Sequence, residues 1–486
     1  MASAPEPAVH DFLHCPRDVT QATPTARALA THQASIRFTL EEKSYQQQFS
    51  DMYFLRLAIL KPVVEKLAKE AWKEFEVAGE KAQGVERVLD VRQGQLCWVT
   101  GTIYMDMPLK PNILNDIVKD HFTVPVLPRE KFVDPNVDQV TLEDESGRLR
   151  LTGSVLETHE LVTGVIVSVL GSENANGDFS VVDVKIPDLP SQKPLQPKGV
   201  ARKRVAIASG LGISGSQYEG LETHLLVEYL LGEAGGDEDH RDAATISQLI
   251  LAGNSLGEAH NPIDDKNTEE ARDARATKYG YDAAAYNPGP TKALDAILSS
   301  LLPSIGVTIM PGSFDPANIS MPQQRLHAAL FPTAKLYDGS TLERVTNPWL
   351  GDIDGATFLA TSGQNLDDMY KYVEGTDRLV MCERLLRWRN IAPTAPDTLW
   401  SYPFQEDDPF VLHDGECPHV LIVGNQPKYE TSVVEGIFLS SASSDDDDEW
   451  GKVRIILVPR FDQTGEIVIV DLATMVPEKV CFKIEE

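Results

Sequence analysis

Residues 205–215 read Val205-Ala-Ile-Ala-Ser209-Gly210-Leu211-Gly212-Ile-Ser-Gly215. A short apolar, partly β-branched run meets a cluster of glycines, which is how a buried strand ending in a turn is written. The letters also spell Gly-x-Gly-x-x-Gly, the loop that cradles a pyrophosphate at a helix N-terminus. A dinucleotide fold needs, in addition, a second strand ending in an acid about 20 residues on, to hold the ribose. At that distance this chain has the end of a helical stretch, Leu230-Leu231, and the loop Gly232-Glu-Ala-Gly-Gly236. Half of the fingerprint is missing, so the stretch is read as a strand-to-helix turn that opens an α/β domain.

Toward the C-terminus strands and helices alternate, which predicts an α/β domain over residues 201–486. Strands are expected at 205–208, 307–310, 358–361 and 420–423, and helices at 217–231, 291–302, from 366, and at 377–390. Residues 245–251 read as the end of another helix. Residues 453–458 and 466–471 read as a late hairpin. Two acidic stretches, 232–242 and 441–449, read as solvated loops; neither has the ligand spacing of a calcium loop.

Toward the N-terminus, Pro187, Pro190, Pro194 and Pro197 mark a stiff, extended linker over 187–200. Before it, residues 86–190 hold short β-rich runs at 88–91, 96–104, 139–142, 148–151, 162–170 and 180–186, with turns at Gly94, Glu145-Ser-Gly147 and 174–178. That density of strands predicts an OB-like β-barrel. Its aromatics are few (Trp98, Tyr104, Phe132, Phe179) and acids dominate, which favours a structural or protein-binding barrel over a single-strand reader. Residues 36–85 form a helical region. Pro62 suits a first helical turn, Val63, Val64, Leu67, Ala68, Ala71, Trp72 and Phe75 recur at helical spacing, and Gly79 is the expected stop. Residues 1–35, rich in Ala, Pro and Thr, read as a disordered tail.

Composition narrows the function. The 486 residues carry Lys+Arg 44 against Asp+Glu 73, a net charge of −29. Nucleic-acid affinity comes largely from Lys and Arg displacing counterions, so little or no direct nucleic-acid binding is expected, and anionic membranes are disfavoured alike. Cys15, Cys97, Cys382, Cys417 and Cys481 are odd in number and far apart, which argues for a reducing compartment. No basic segment followed by an apolar core opens the sequence, so no secretory leader is expected. Residues 52–64 are interrupted by Arg56, Lys61 and Pro62 and cannot span a bilayer. His413, Cys417 and His419 are three candidate zinc ligands without the fourth that a structural site needs; they read as a polar loop entering a buried strand. Asp367 and Asp368 suit a helix N-terminus. The cluster Lys198-Gly-Val-Ala-Arg-Lys-Arg204 reads as a strand edge before it reads as an import signal.

Four exit loops remain: Ala208-Ser-Gly-Leu211, Leu251-Ala-Gly-Asn-Ser-Leu256, Met310-Pro-Gly-Ser-Phe-Asp315 and Val423-Gly-Asn-Gln-Pro427. In an open α/β fold such loops gather on one face. Their order resembles the calcineurin-like metallophosphoesterases, whose two metals sit on DxH, GDxxD, GNHD and GHxH loops. By that resemblance Ser209 and Leu211 stand where the first Asp and His belong. Asn254 and Gly257 replace the carboxylates of the second loop, Ser313 and Phe314 the Asn and His of the third, leaving Asp315. Asn425 and Pro427 replace both histidines of the last. Two metals about 3.5–4 Å apart need several carboxylates and imidazoles, so the resemblance implies a phosphoesterase sandwich that has lost its metal ligands, with no catalytic residue and no cofactor.

A helical region, an OB-like barrel, a proline linker and an inactivated phosphoesterase domain together resemble the B-subunit family of eukaryotic replicative DNA polymerases. Within it the delta branch is similar through Ser44-Tyr-Gln-Gln-Gln-Phe-Ser-Asp-Met-Tyr-Phe-Leu-Arg-Leu57, Asp188-Leu-Pro-Ser-Gln-Lys-Pro-Leu195 and residues 205–211. Met310-Pro-Gly-Ser-Phe-Asp-Pro316, Val345-Thr-Asn-Pro348, Thr361-Ser-Gly-Gln-Asn365 and Cys417-Pro-His-Val420 add to it. The resemblance runs from about residue 40 to the C-terminus. It implies a non-catalytic scaffold subunit of DNA polymerase delta in nuclear replication and repair. The partners so implied are the cysteine-rich C-terminal domain of the catalytic subunit and a third, clamp-binding subunit, with DNA polymerase zeta as a further client. The residues leave open an active metal-dependent phosphoesterase with unusual ligands or a single-strand-binding OB-fold protein; against a B-subunit of polymerase alpha or epsilon the delta-like segments decide. Among the degenerate-loop face, the barrel and the 44–64 helix, the sequence does not choose a docking surface.

Overall fold

A computed structural model describes residues 26–41, 44, 46–77, 79–111, 129–195, 202–215, 220–257, 288–436 and 451–483. The described chain opens on a three-residue strand, β1 (His32–Ala34), followed by a 22-residue helix, α1 (Ser50–Ala71). Met52, Arg56, Leu60, Val64 and Ala68 recur every four residues and, with Leu57, form the buried face of α1. Burial of that face sets the helix bounds. Pro62, read as a first-turn residue, therefore lies inside the helix on its solvent side, and the helix stops at Ala71, well before Gly79. Gly79 instead turns a small hairpin of β2 (Glu76–Val77) and β3 (Glu80–Lys81).

The barrel follows: β4 (Gln83–Gly84), β5 (Cys97–Asp106), β6 (Gln139–Glu143), β7 (Arg148–Thr152), β8 (Ile166–Glu173) and β9 (Phe179–Lys185). They run in the order β4-β5-β6-β7-β9-β8, and β5 also pairs with β8, which closes the sheet on itself. Closure removes the free edges that short strands would otherwise expose. Residues 88–91, expected as a strand, form a 3-10 turn over Val88–Asp90. The Asp144 carboxylate accepts from Val88 N (2.8 Å) and Ser146 Oγ from Leu89 N (3.2 Å), so side chains supply the partners that a strand neighbour would have supplied.

Two six-stranded sheets make the second unit. One contains the parallel run β10 (Arg204–Ala208), β11 (Ile246–Ala252), β12 (Gly306–Met310) and β13 (Leu342–Arg344). The other contains β14 (Trp349–Ile353), β15 (Ala356–Thr361), β16 (Val420–Gln426), β17 (Glu430–Glu435) and β18 (Lys452–Pro459), in the order β1-β14-β15-β16-β18-β17. The last strands, β19 (Glu466–Asp471) and β20 (Pro477–Cys481), join the first sheet beyond β10. Val205, Ile207, Ile250 and Val468 of the first sheet meet Phe358, Val420, Ile422 and Ile456 of the second. The helices Leu221–Leu231 and Gly289–Leu301 cover the outer face of the first sheet. The helices Gln364–Tyr370 and Arg378–Arg387 cover that of the second, and one continuous apolar cluster joins this layer to the barrel interior.

Several expectations are corrected. Residues 246–251 lie in strand β11, not at a helix end. Every residue of β11 is buried, and a strand covered on both faces loses the period-2 signature. Residues 453–458 and 466–471 do not pair. β18 bonds to β16 and β17, β19 to β10 and β20, and residues 460–465 carry the chain from one sheet to the other. Part of the 232–242 loop is the helix Asp237–Ala243, whose Asp239 carboxylate accepts from Gly236 N at 2.8 Å. Residues 26–35 of the expected tail are ordered: β1 pairs with β14, and the Arg27 guanidinium donates to the carbonyls of Leu230, Ala243 and Ile246. Residues 188–195 of the proline stretch are anchored, with Leu189 buried and Gln192 Nε2 donating to Pro418 O and Lys452 O. Residues 1–25 of the expected tail and the acidic stretch 441–449 lie outside the described residues.

Candidate functional site

Parallel strands β10, β11 and β12 release their C-terminal loops beside that of β16, because the two sheets are stacked with these ends together. Ser209, one residue past β10, is buried. Its hydroxyl lies 3.1 and 3.0 Å from the carbonyls of Val458 and Pro459 and accepts from Asn425 N at 2.9 Å. Asn425 Nδ2 donates to Ala252 O (3.2 Å) and Ser362 O (2.9 Å), tying the end of β16 to the ends of β11 and β15. Asn254 Oδ1 accepts from Phe314 N (3.0 Å) and Ser313 Oγ (3.3 Å), which ties the second loop to the third. Both asparagines hold positive φ, 52° at Asn254 and 58° at Asn425, a conformation that asparagine tolerates better than most residues. Gly312 must be glycine, since a Cβ there would stand 2.3 Å from Asn254 Oδ1.

Asp315 is the one carboxylate of the set. Its Oδ1 accepts from Leu256 N (2.9 Å), and its Oδ2 from Gly312 N (2.8 Å) and Ser255 N (3.3 Å). Burial pushes its carboxyl above the usual carboxylate range, opposed by these backbone donors. Asp315 thus serves as an internal clasp between two loops.

The remaining positions diverge. Leu211 is buried in the core beneath the first sheet, beside Leu226, Leu256 and Phe461. Gly257 N donates to Ile213 O (3.0 Å), extending the pairing of residues 210–213 with 253–257. The glycine run therefore lies alongside the second loop, with Gly210 and Gly212 in the left-handed region (φ 61° and 62°), and the helix Leu221–Leu231 begins only later. The Phe314 ring lies under the Arg460 guanidinium at 5.4 Å, Ser313 is exposed, and Pro427 is at the rim beside Tyr370, Arg378 and Lys428. Among the described residues no three His, Cys, Asp or Glu side chains are placed to hold a metal ion.

The histidine-cysteine stretch is structural. His419 Nδ1 accepts from Thr357 N (2.9 Å) and Nε2 lies 2.9 Å from Lys193 O, a pattern that fits the neutral ring, and burial holds its pKa below the usual imidazole value. Cys417 is buried, and burial pushes its thiol up to about 12.

Sequence reasoning missed the amide network that braces this face. Asn347 Nδ2 donates to Gln323 Oε1 (2.8 Å) and Ser362 Oγ (2.6 Å), while Gln323 Nε2 donates to Gly312 O (3.2 Å) and Asn318 O (3.0 Å). Lone Asn and Gln residues carry no periodicity, so only Asn347, inside Val345-Thr-Asn-Pro348, gave any signal.

Comparison with known proteins returns two family matches. Residues 48–184 match the family of the DNA polymerase delta subunit OB-fold domain, and residues 205–431 match the B-subunit family of DNA polymerases alpha and epsilon. An Arabidopsis thaliana protein called DNA polymerase delta small subunit is 38% identical over 442 residues, covering 90% of this chain and 92% of that protein. Proteins of the same name from Oryza sativa subsp. japonica (36% over 440 residues; 90% and 94%) and Saccharomyces cerevisiae (34% over 477 residues; 90% and 90%) are similar along nearly their whole length.

Proposed function

The chain belongs to the family of DNA polymerase delta small subunits, and from that premise we propose that it is a non-catalytic scaffold of a nuclear replicative polymerase. In this reading it bridges the cysteine-rich C-terminal domain of the catalytic subunit and a third, clamp-binding subunit, and it serves DNA polymerase zeta as well. The barrel (86–190) and the sandwich (201–486) act as two halves of one rigid support.

The observation that carries the reading is the state of Asp315. A metal ion there would have to displace three backbone hydrogen bonds. Ser209, Leu211, Asn254, Gly257, Ser313, Phe314, Asn425 and Pro427 add no charge, so most of the charge of two divalent cations would stand uncompensated. The net charge of −29 supports partners that are proteins over direct contact with a phosphate backbone.

The test is tagged purification from native extract, with mass spectrometry of stoichiometric partners and metal analysis of the separated chain. A polymerase catalytic subunit and a clamp-binding subunit, with no metal on this chain, are the expected result. A chain that purifies alone and carries manganese, iron or zinc overturns the proposal.

A further inference from the structure

We propose that the groove between the barrel and the second sheet's helical layer is a docking site for a basic amphipathic helix of a partner protein. The inference rests on the scaffold reading and gives one partner an address.

The groove's floor is apolar. Met105 of β5, Val140 of β6, Leu156 of the helix Val155–His159, Leu161, Val133 and Val373 line a cavity of about 400 Å³. That lies within the range of about 300–1,000 Å³ typical of ligand-binding clefts. The rim has one sign: Asp138, Glu157, Glu160 and Glu374 line it, and among the described residues no Lys, Arg or His does.

These carboxylates are only partly used. Glu160 is paired with Arg384 and accepts from Gly375 N. Asp138 Oδ2 accepts from Asp134 N at 2.8 Å, but its buried Oδ1 has no hydrogen-bond partner among the described residues. Glu157 and Glu374 are exposed. The nearby Lys131 ammonium is engaged by the carbonyls of Val373, Glu374 and Gly375.

An apolar trough with an acidic rim fits a helix that presents apolar side chains at i, i+3 or i+4, and i+7, flanked by Lys or Arg. The match of charge fixes orientation and speeds encounter. The same rim repels a phosphate backbone, and a second copy of this chain, at a net −29, carries the wrong overall sign.

Two measurements test the site. In the first, a fluorescent synthetic helix of Leu and Lys at that spacing is titrated onto the full chain, beside the same peptide with Glu in place of Lys. Saturable binding of the Lys peptide alone is expected. Glu157→Arg with Glu374→Arg should weaken it at least tenfold, and the remote Glu238→Arg should leave it unchanged. Groove variants that bind as well as wild type, or a Glu238→Arg chain that weakens as much as they do, overturn the proposal. In the second, a photo-cross-linking residue at position 157 is activated in the natively purified complex. A cross-link to a Lys/Arg-rich helix of another subunit is expected. A cross-link to an acidic segment, to this chain or to a second copy of it, or none at all, overturns the assignment. A chain that purifies without partners defeats the scaffold reading, and the peptide titration still decides the groove.

Discussion

The Arg56 guanidinium and the Asp408 carboxylate meet at 2.9 Å, with both side chains fully shielded from solvent. Arg56 Nη1 also donates to Pro393 O (2.8 Å) and Gly164 O (3.3 Å), and Nη2 to Ala395 O (3.1 Å). One side chain of α1 thus ties a barrel turn to the second unit. The approach is close enough that a Cβ at Gly164, where φ is 90°, would stand 2.1 Å from Pro393 O.

Breaking one side of a buried pair leaves a bare charge, which costs about 3–5 kcal/mol. Arg56→Met is therefore expected to lower the urea midpoint of the whole chain by that equivalent. Arg56→Lys should recover little, because a point-charge ammonium lacks the planar fork that reaches Asp408 and three carbonyls together. An unchanged midpoint for Arg56→Met would show that the joint does not hold the two units.

Asp315→Asn keeps the shape and replaces one acceptor oxygen by a donor. Either amide orientation sets an N–H against a backbone N–H, at Leu256 or at Gly312 and Ser255. A loss of about 1–3 kcal/mol is expected, read as a lower melting temperature. A variant as stable as wild type would remove the clasp from the account of this face.

Glu343 lies against His32 Nδ1, and burial pushes its carboxyl from an ordinary 4.5 to about 7. A carboxyl pKa raised on folding means that the folded chain holds a proton the unfolded chain has released. Stability from this group is therefore lost as pH rises from 4.5 through about 7. Glu343→Gln keeps an acceptor for His32 and cannot ionise, so its urea midpoint should gain on wild type steadily across that window. A constant difference from about pH 4.5 to about pH 8 would rule the coupling out.

Burial pushes the Cys97 thiol up to about 11 and that of Cys417 to about 12, and raises Cys382 as well. The thiolate is the reactive form. Peptide mapping after brief alkylation of the native chain at about pH 8 should find Cys481, which is exposed, modified and these three protected. Rapid labelling of Cys417 would contradict its burial.

The residues that announced the fold are those whose ends are punctuated. Val205-Ala-Ile-Ala reads as a strand because glycines stop it at once, and the barrel strands read because turns punctuate them. Ile246–Ala252, buried throughout like Val205–Ala208, misled because a strand covered on both faces offers no period to separate it from a helix. Pro62 obeyed a local rule that burial of Met52, Arg56 and Leu60 overrode. His32-Gln-Ala carries no strand signal, and the open edge of β14 makes it one. At the candidate site the loop positions were legible, since loops end strands, while the bonds between them were not. An asparagine that bridges Ser362 and Ala252 looks like any other asparagine until the strands are stacked.

The long-range pairing of the first residues bears on how the chain is made. Thr31 and Asp354, bonded at 2.9 Å, lie 323 positions apart, and Arg56 waits 352 positions for Asp408. Strand β10 acquires its second neighbour only when β19 has emerged. Contacts so distant along the chain close slowly, and the surfaces awaiting them stay open meanwhile. A ribosome that has delivered the barrel and half the sandwich therefore carries an incomplete core, and a chain cut short after β16 would present two unfilled sheet edges to the cell's quality control.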